Sequence, residues 1–522
     1  MTTMTTTAEK IKQSILTIVD EMLEKSTFVV KKGIPLHEFE KDIFAEVLKI
    51  GYHCIETVLL QAGTCNVGKH LSLSNGKQLN RLDNLRHRCY LSVFGSHDIH
   101  YFAYGSREGQ KIEHIPLAVH LSLPTEKYSY YLQELTQAMC IETPYAKVDD
   151  FFTHLLPISL PVSGLERTNK VLANSSQAYW EQQTPASEVT AEQLVVMQSD
   201  GKGVVIRPEK QSSPKVKTTF EAMTSSPSKK SHNGRKKMAV VGSVYTIDCH
   251  KRTSNDVLES LFKKREETSS AHDKKKPDSS VPKPLDKRIR TSLERDEKDT
   301  LAPARRCIFG WQQKEQRERD PNNKATHIYL MDGEKALWDT AVENSLGNKQ
   351  VEILDILHAA SYIWMASKAL HPYQHNKDSL LDGFVKSNME KVLQSEVKEV
   401  IKDFRALAAS KKRSSKALEK IEKACVYLEN HANRMKYHEY LANGYPIASG
   451  VIEGACRYVV KDRMERTGMR WVMSGAEAML NLRCIALNGD WEAFMSFHID
   501  KIQQQRYVAA ANDYFFLENK SA

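Results

Sequence analysis

The sequence predicts an α/β protein in which helices flank a mixed β-sheet and a mostly helical region precedes it. Short apolar, β-rich runs occur between residues 194 and 247 and again at 326–331 and 350–354. An amphipathic helical pattern at 333–346 separates the two later runs, and a long helical region follows them. Strands that alternate with helices in this way indicate a sheet with helices on its faces.

The first part of the sheet is predicted from three β-rich runs, at 194–200, 202–207 and 238–247. Asp200 ends the first run, and the two glycines of the segment DGKG are expected to turn the chain into the second. The charged, Pro- and Ser-rich stretch 251–300 reads as a basic loop that is either solvated or in contact with phosphates.

The N-terminal region shows helical spacing at 8–65, short antiparallel strands with Gly turns at 85–121, and three short helices at 127–176. The last part has the outline of a helix-turn-helix, whose second helix would present Arg167, Asn169 and Lys170 to DNA. A short helix on the surface of a helical bundle explains the same pattern.

These patterns divide the chain into six regions. They are an N-terminal helical region (1–84), a small β-rich segment (85–125), a helical region with the helix-turn-helix outline (126–190), the first part of a catalytic core with basic loops at 207–237 and 251–300 (191–355), a helical insertion (356–445), and a C-terminal catalytic helix with the end of the core (446–522).

Composition limits the class of protein. Of the 522 residues, 41% are hydrophobic and 27% charged, and the formal net charge of +9 suits a polyanionic partner without requiring one. None of the nine cysteines forms a CxxC pair, which favours a reducing compartment over a disulfide framework or a zinc knuckle. Without a long apolar run or a signal-peptide core, we expect a cytoplasmic, nucleoid-associated protein and no membrane partner.

Three carboxylates stand where this order of strands would bring them together. The order matches the RNase H-like fold, in which the first and fourth strands lie side by side at the sheet centre. Asp200 and Asp332 end those two strands, and a later helix that begins near Glu453 can lean across the sheet and add a third carboxylate. Asp355, at the end of the fifth strand, and His358 are the alternative or supporting pair. Asp332 is preferred because Asp355 lies nearer the sheet edge.

The residue types suit phosphodiester chemistry. Mg²⁺ prefers carboxylate oxygen, and two such ions about 4 Å apart can activate an attacking hydroxyl and stabilise a leaving oxygen. The C-terminal helix adds an apolar stripe at Ile452, Ala455, Cys456 and Val459, expected to pack on the sheet. It also carries cations that could hold a DNA backbone, namely Arg457, Lys461, Arg463, Arg466 and Arg470. Trp471 is expected to lie in the core rather than to stack on a base.

The C-terminal segment GYPIASGVIEGACRYVVKDRMERTGMRW closely resembles the signature of bacterial insertion-sequence transposases of the ISKra type, and QSDGKGV, YLMDGEKALW and LDILHAASYIW are similar to other motifs of that family. The resemblance implies a DDE transposase with an RNase H-like core. It implies that Asp200, Asp332 and Glu453 bind two Mg²⁺ or Mn²⁺ ions, that transposon ends are cut and joined to target DNA, and that the chain forms a homo-oligomer at the synapse.

Two other functions stay open at this point. A sequence-specific DNA-binding repressor could keep the fold without catalysis, although three intact acidic positions favour an enzyme. An RNase H-like nuclease could cut without joining, although the long N-terminal region favours a protein that must first find a specific DNA end.

Overall fold

The computed structural model describes most of the chain. The described residues are 2–73, 75–106, 112–184, 186–207, 235–262, 281–294, 304–344, 350–371, 378–466 and 469–507. They divide into two compact units, one formed by Met1–Glu181 with Asp490–Ala522 and the other by Gln182–Gly489. The first of the two predicted basic loops, except its ends, and residues 263–280 and 295–300 of the second lie outside the described residues. Within the described residues, no helix is both long enough and apolar enough to cross a membrane.

The first unit begins with two long helices and continues with short strands and further helices. Gly33, with φ of 66°, and Pro35 end the first helix and start the second, where the sequence pattern had indicated one helical region. The elements up to residue 182 are α1 (Thr2–Lys32), α2 (Leu36–Ala62), β1 (His70–Ser72), β2 (Gln78–Arg81), β3 (Arg86–Ser92), β4 (Gly95–Tyr101), β5 (Tyr104–Gly105), α3 (Pro116–His120), α4 (Tyr130–Cys140), α5 (Tyr145–Leu155), α6 (Val162–Ala173) and α7 (Ser176–Gln182).

The second unit contains the predicted mixed sheet and its helical insertion. Its elements are β6 (Gln193–Ile206), β7 (Arg235–Asp248), α8 (Ser254–Phe262), β8 (Leu285–Leu293), α9 (Ala304–Arg319), β9 (Thr326–Met331), α10 (Lys335–Asn344), β10 (Gln350–Leu354), α11 (Ile356–Leu370), α12 (Asp378–Leu393), α13 (Val397–Ala409), α14 (Ser415–His431), a 3₁₀ turn (Ala432–Arg434), α15 (Tyr437–Ala442), α16 (Gly450–Cys456), a π-helical turn (Arg457–Lys461), α17 (Asp462–Met464) and α18 (Met473–Leu487). The last helix, α19 (Trp491–Tyr507), belongs to the first unit.

The five strands of the large sheet lie in the order β10-β9-β6-β7-β8. β6 pairs in parallel with β9, and β9 in parallel with β10, while β6–β7 and β7–β8 are antiparallel. The prediction that the strand before Asp200 lies beside the strand before Asp332 is therefore confirmed.

Two predictions about the first strands are wrong. Gly201 and Gly203 do not turn the chain, because β6 runs through both and pairs with β7 without interruption from Gln193–Asp248 to Ile206–Arg235. The third strand of the sheet is β8, which lies inside the stretch 251–300 that composition assigned to a loop. Its buried residues alternate at Ile289, Thr291 and Leu293, but the charged residues around them make this strand pattern difficult to recognise in the sequence.

Side chains alternate along the central strands and thereby supply two cores. Leu194 and Val196 pack with the helical insertion on one face of the sheet, while Val195 and Met197 pack with α9 and α10 on the other. The insertion is also hydrogen-bonded to the edge strand: the hydroxyl of Tyr437 donates to the Leu354 carbonyl at 2.8 Å. The structure thus encloses the paired part of β6 and β9 on both faces, and Asp200, within β6, and Asp332, just after β9, lie beyond the end of that pairing.

Candidate functional site

Asp200 and Asp332 lie at the same level on neighbouring parallel strands. The last paired residues of β6 and β9 are Met197 and Tyr329, and each aspartate stands three residues beyond its paired residue. Burial raises the pKa of the Asp200 carboxyl, and the charge of Asp332 adds a smaller effect in the same direction. We call these two residues the strand pair.

The pKa of Asp200 is raised chiefly because the carboxyl is removed from water, and the neighbouring Asp332 charge adds to the effect. The Cys456 thiol and the Gly201 N–H, which donates at 2.7 Å, act in the opposite direction by hydrogen bonding to the carboxylate. Burial and the Asp200 charge raise the pKa of Cys456, so this thiol stays protonated and can donate. The pKa of the Asp200 carboxyl is raised overall, so these two hydrogen bonds compensate the negative charge there only in part.

Asp332 is held by the backbone at the start of the β9–α10 connection. Its Oδ1 accepts the Glu334 N–H at 2.9 Å, and its carbonyl accepts the Trp338 indole N–H at 2.6 Å. The next residue must be small, since a Cβ on Gly333 would lie 2.3 Å from the ring of Tyr427. The helical insertion, through α14, therefore packs directly against this edge of the site.

Helix α16 is attached to the central strand beside Asp200. Gln198, fully buried on β6, accepts the Ile452 N–H at 3.0 Å. The predicted apolar stripe is confirmed, because all four of its members are buried: Ile452, Ala455, Cys456 and Val459. Glu453 points away from this stripe and is exposed.

Glu453 lies with Asp355 and His358 rather than directly with the strand pair. The ligand atoms of these three residues all lie within 4.8 Å of one another, and among the described residues neither Asp200 nor Asp332 belongs to that group. The Ser449 hydroxyl connects two of them, since it donates to Asp355 Oδ2 at 2.6 Å and lies 3.5 Å from Glu453 Oε1. We call Asp355, His358 and Glu453 the helix group.

Within the helix group, Asp355 is fully buried and its oxygens are well supplied with donors. Oδ1 caps α11 by accepting the Leu357 N–H at 3.0 Å, and it also accepts the Ser449 N–H at 3.3 Å. His358 Nε2 lies 3.9 Å from Asp355 Oδ2. Asp355 thus joins the starts of α11 and α16, which places Glu453.

The two sets are linked through α16. Cys456 contacts Asp200 from the strand pair, and Glu453, three residues earlier on the same helix, belongs to the helix group. Carboxylate oxygens of this number and type suit a hard divalent cation. The raised pKa of Asp200 shows that added positive charge beside the strand pair would be favourable.

The predicted cations of the C-terminal helix separate into exposed and buried residues. Arg457 is exposed and lies 3.7 Å from Asp462. The π turn that begins at Arg457 shifts the register of later residues.

Arg463 is fully buried over the Trp471 ring, at 5.0 Å, so it does not belong to the basic surface. The remaining predicted cations are exposed, namely Lys461, Arg466 and Arg470. Trp471 is buried, as predicted.

The helix-turn-helix outline coincides with α5 and α6, but α6 presents fewer polar residues than predicted. Asn169 is buried and donates to Gln137 at 3.0 Å, so it cannot reach a base edge. Arg167 is exposed and forms an ion pair with Glu126 at 3.1 Å, and Lys170 is half-buried.

The sequence interpretation missed three residues that build the site: Gln198, Ser449 and Cys456. A local signal existed for two of them, because Ser449 stands four residues before Glu453 on the same helix start and Gln198 stands two residues before Asp200 on the same strand face. Cys456 was assigned to the packing stripe, which is correct, but nothing in the sequence indicates that its thiol meets Asp200.

A second polar cluster in the first unit has the connectivity of a hydrolytic triad. His97 Nδ1 lies 2.5 Å from Glu56 Oε1, and its Nε2 lies 3.1 Å from Ser92 Oγ. However, Ser92 and His97 are both buried, and Ser92 Oγ accepts the Phe94 N–H at 3.1 Å. A hydroxyl enclosed in this way holds the β3–β4 turn and cannot attack a substrate.

Comparison with known proteins adds no relative: no protein-family model matches the chain, and a search of curated proteins gives no significant match.

Proposed function

We propose that this chain is a DDE transposase built on an RNase H-like catalytic core, as the resemblance of its motifs implies. The single observation that carries the proposal is the strand pair: two aspartates at matching positions of adjacent parallel strands, with the Glu453 helix tied to the same central strand through Gln198. The strand order β10-β9-β6-β7-β8, with three antiparallel strands followed by two parallel ones, supports the RNase H-like assignment.

Asp200, Asp332 and Glu453 are the residues that would hold Mg²⁺ or Mn²⁺, with Asp355 and His358 beside Glu453. Bound ions of this kind supply charge compensation and lower the pKa of an attacking hydroxyl or water. Asp355 and Ser449 hold the start of α16, and Cys456 donates a hydrogen bond to Asp200. These protein groups keep the three carboxylates in place before substrate arrives.

DNA would contact the exposed cations beyond Glu453. Arg457 and Lys461 supply positive charge in the π turn that directly follows α16, and Arg466 and Arg470 supply it in the segment after α17. Arg167 and Lys170, in the first unit, are the candidates for recognition of the transposon end. Arg463, being buried, supports Trp471 instead.

The test is cleavage and joining of DNA that carries the element's own ends, with Mg²⁺, by wild type and Glu453→Gln. We expect wild type to cut and join and the variant to bind DNA without cutting. Cutting without joining by wild type would identify a nuclease, and specific binding without cutting in either protein would identify a repressor. Either result would contradict the proposal.

A further inference from the structure

One face of the β3–β4 hairpin, at the end away from its turn, carries four side chains of metal-ligand type. His87, Asp98 and His100 are exposed, and Cys89 is half-buried. Because side chains alternate along a strand, residues 87 and 89 of β3 share a face, as do residues 98 and 100 of β4. The opposite face packs inward, since Ile99 belongs to a buried core cluster of the first unit. We call His87, Cys89, Asp98 and His100 the hairpin cluster.

The strand register arranges the hairpin cluster as two directly opposed pairs. His87 lies opposite His100, and Cys89 lies opposite Asp98. The two pairs are successive on one face of the hairpin, because only one pair of residues separates them along the ladder. Four potential ligands therefore stand at the corners of one small patch.

Backbone hydrogen bonds show that both pairs are of the closer type. The Leu91 N–H donates to the Lys127 carbonyl, and the Leu91 carbonyl accepts the Ser129 N–H, so the backbone of Leu91 bonds away from β4. Pair types alternate along an antiparallel ladder, so the pairs two and four residues before Leu91 on β3 are non-hydrogen-bonded as well. Side chains approach most closely in such pairs, whose Cα atoms lie about 4.5 Å apart.

The two imidazole rings lie near the spacing that one shared ion requires. The ring centroids of His87 and His100 are 6.0 Å apart. With a metal–nitrogen bond of about 2.0–2.1 Å and a centroid about 1.1 Å behind each nitrogen, tetrahedral coordination places the two centroids about 5 Å apart. Both side chains are exposed, so rotation about their side-chain bonds is sufficient to close this difference.

The second pair supplies a thiol and a carboxyl group. Cys89 Sγ lies 2.9 Å from Ser96 Oγ, a contact that rotation about the Cys89 Cα–Cβ bond exchanges for a position nearer the imidazoles. Among the described residues, three ligand atoms within 4.8 Å of one another are found in the helix group, and the hairpin cluster is more open than this. Coordination therefore requires side-chain rotation, while the backbone register already suits it.

The two cations of β3 do not oppose an ion on this face. Arg86 and Arg88 alternate with His87 and Cys89, so they extend from the other side of the strand. Arg88 Nη1 donates to the Pro124 carbonyl at 2.8 Å, which holds that guanidinium away from the hairpin cluster.

We propose that the hairpin cluster binds one transition-metal dication of the Zn²⁺ type. Its four ligand groups are two imidazoles, one thiolate and one carboxylate, a set that suits Zn²⁺ and not Mg²⁺. The thiol releases its proton to solvent when the ion binds. Four protein ligands fill a tetrahedral site, so the ion has a structural role and joins β3 to β4. The lack of a CxxC pair is compatible with this site, because its ligands come from two paired strands.

The first experiment is calorimetric titration of the tag-free full chain with Zn²⁺ in excess Mg²⁺, which occupies carboxylate sites but competes poorly for imidazole and thiolate. We expect one Zn²⁺ per chain. His87→Ala and His100→Ala should each weaken binding at least about 100-fold, because loss of even an outer partner of a ligand costs about 10–100-fold. His70→Ala is the matched control, since His70 is an exposed strand histidine that is bonded to Asn80, and it should keep wild-type affinity.

Two results of this titration would overturn the proposal. One is a wild-type chain that binds no Zn²⁺ under these conditions. The other is Zn²⁺ affinity that survives in His87→Ala/His100→Ala but is lost in His358→Gln, which would assign the ion to the helix group. The hairpin site is independent of the transposase proposal, because binding is measured without DNA or cleavage.

Co²⁺ substitution tests the thiolate separately. We expect the absorption spectrum of the Co²⁺-loaded chain to contain a thiolate-to-metal charge-transfer band, which Cys89→Ser lacks. Cys54→Ser, at an exposed cysteine of α2, should keep the band. Zn²⁺ should also raise the Tm of wild type but not of His100→Ala, because an ion that binds only the folded hairpin stabilises it. A wild-type spectrum without the thiolate band, or an equal Tm increase in both proteins, would contradict the proposed site.

Discussion

In the strand pair, burial and the neighbouring Asp332 charge raise the pKa of Asp200, whereas in the helix group Asp355 receives hydrogen bonds from Leu357 and from both donors of Ser449. Asp200, Asp332 and Asp355 are buried or half-buried, so exposure does not distinguish the strand pair from Asp355. The difference is in their donors. The strand pair would gain from a cation, while Asp355 already has the partners that a buried carboxylate requires. The strand pair is therefore better suited to bind metal, and Asp355 is better suited to hold Glu453 in position.

A contribution of Asp355 or His358 to activity as large as that of the strand pair would contradict this distinction. Asp200→Asn and Asp332→Asn should each reduce cleavage by at least about 10³-fold, because they remove transition-state stabilisation at the reacting phosphate. His358→Gln should cost less than about tenfold. Single-turnover cleavage measures all three. Asp339→Asn, an exposed aspartate paired with Lys335 in the same unit, is the control and should retain wild-type activity.

The link between the two sets is tested at Gln198. Gln198→Leu removes the acceptor for the Ile452 N–H and should lower cleavage about 10–100-fold, as loss of a supporting partner does at other metal sites. DNA affinity should stay near the wild-type value. Unchanged cleavage would mean that α16 holds Glu453 without its bond to β6.

Substitutions of Asp355 distinguish a role in positioning Glu453 from a role in binding metal. Asp355→Ala should lower the free energy of unfolding by about 2 kcal/mol, because α11 loses its cap and Ser449 loses its acceptor. Asp355→Ser, which can still cap the helix, should recover part of that loss. Urea denaturation measures both. If Asp355→Ala is as stable as wild type but binds Mn²⁺ far more weakly, the main role of Asp355 is to bind metal.

The charge at Asp200 predicts a pH dependence of stability without metal. Because the folded-state pKa is raised, folded Asp200 keeps its proton at pH values where an unfolded aspartate has lost it. As pH rises from about 4 through the raised pKa, wild type loses stability that Asp200→Asn does not lose. The Tm difference in EDTA should therefore favour the variant increasingly toward neutral pH. A Tm difference between Asp200→Asn and wild type that does not change with pH would argue against an uncompensated charge at Asp200.

The smallest expected effect concerns the cations beyond Glu453. Arg457→Ala should weaken DNA binding and reduce the slope of log affinity against log salt by about one. Arg463→Met keeps side-chain bulk at a buried position and should leave the salt slope unchanged while lowering Tm. An unaltered salt slope in Arg457→Ala would indicate that Arg457 forms its local ion pair with Asp462 and does not contact DNA.

Much of the second unit could be predicted from its sequence, since periodicity reports burial directly. The strands β9 and β10, the helix between them, the helical insertion and the buried stripe of α16 all follow from apolar spacing. β8 was missed because its three alternating buried residues lie among charged residues and prolines. The turn at Gly201 was wrongly predicted because cross-strand pairing overrides the flexibility of glycine.

The sequence by itself determined that carboxylates stand on or just after the central strands and at the start of the last basic helix, because local spacing is enough to predict strands, helices and their apolar faces. Only the tertiary structure decided which of those residues meet. Ser449 brings Glu453 to Asp355, Cys456 meets Asp200, and Arg463 turns inward to Trp471. The physical reason is that these contacts join residues distant in sequence or depend on the helical register. They are therefore determined by the packing of the whole unit, and the spacing of residues along the chain does not predict them.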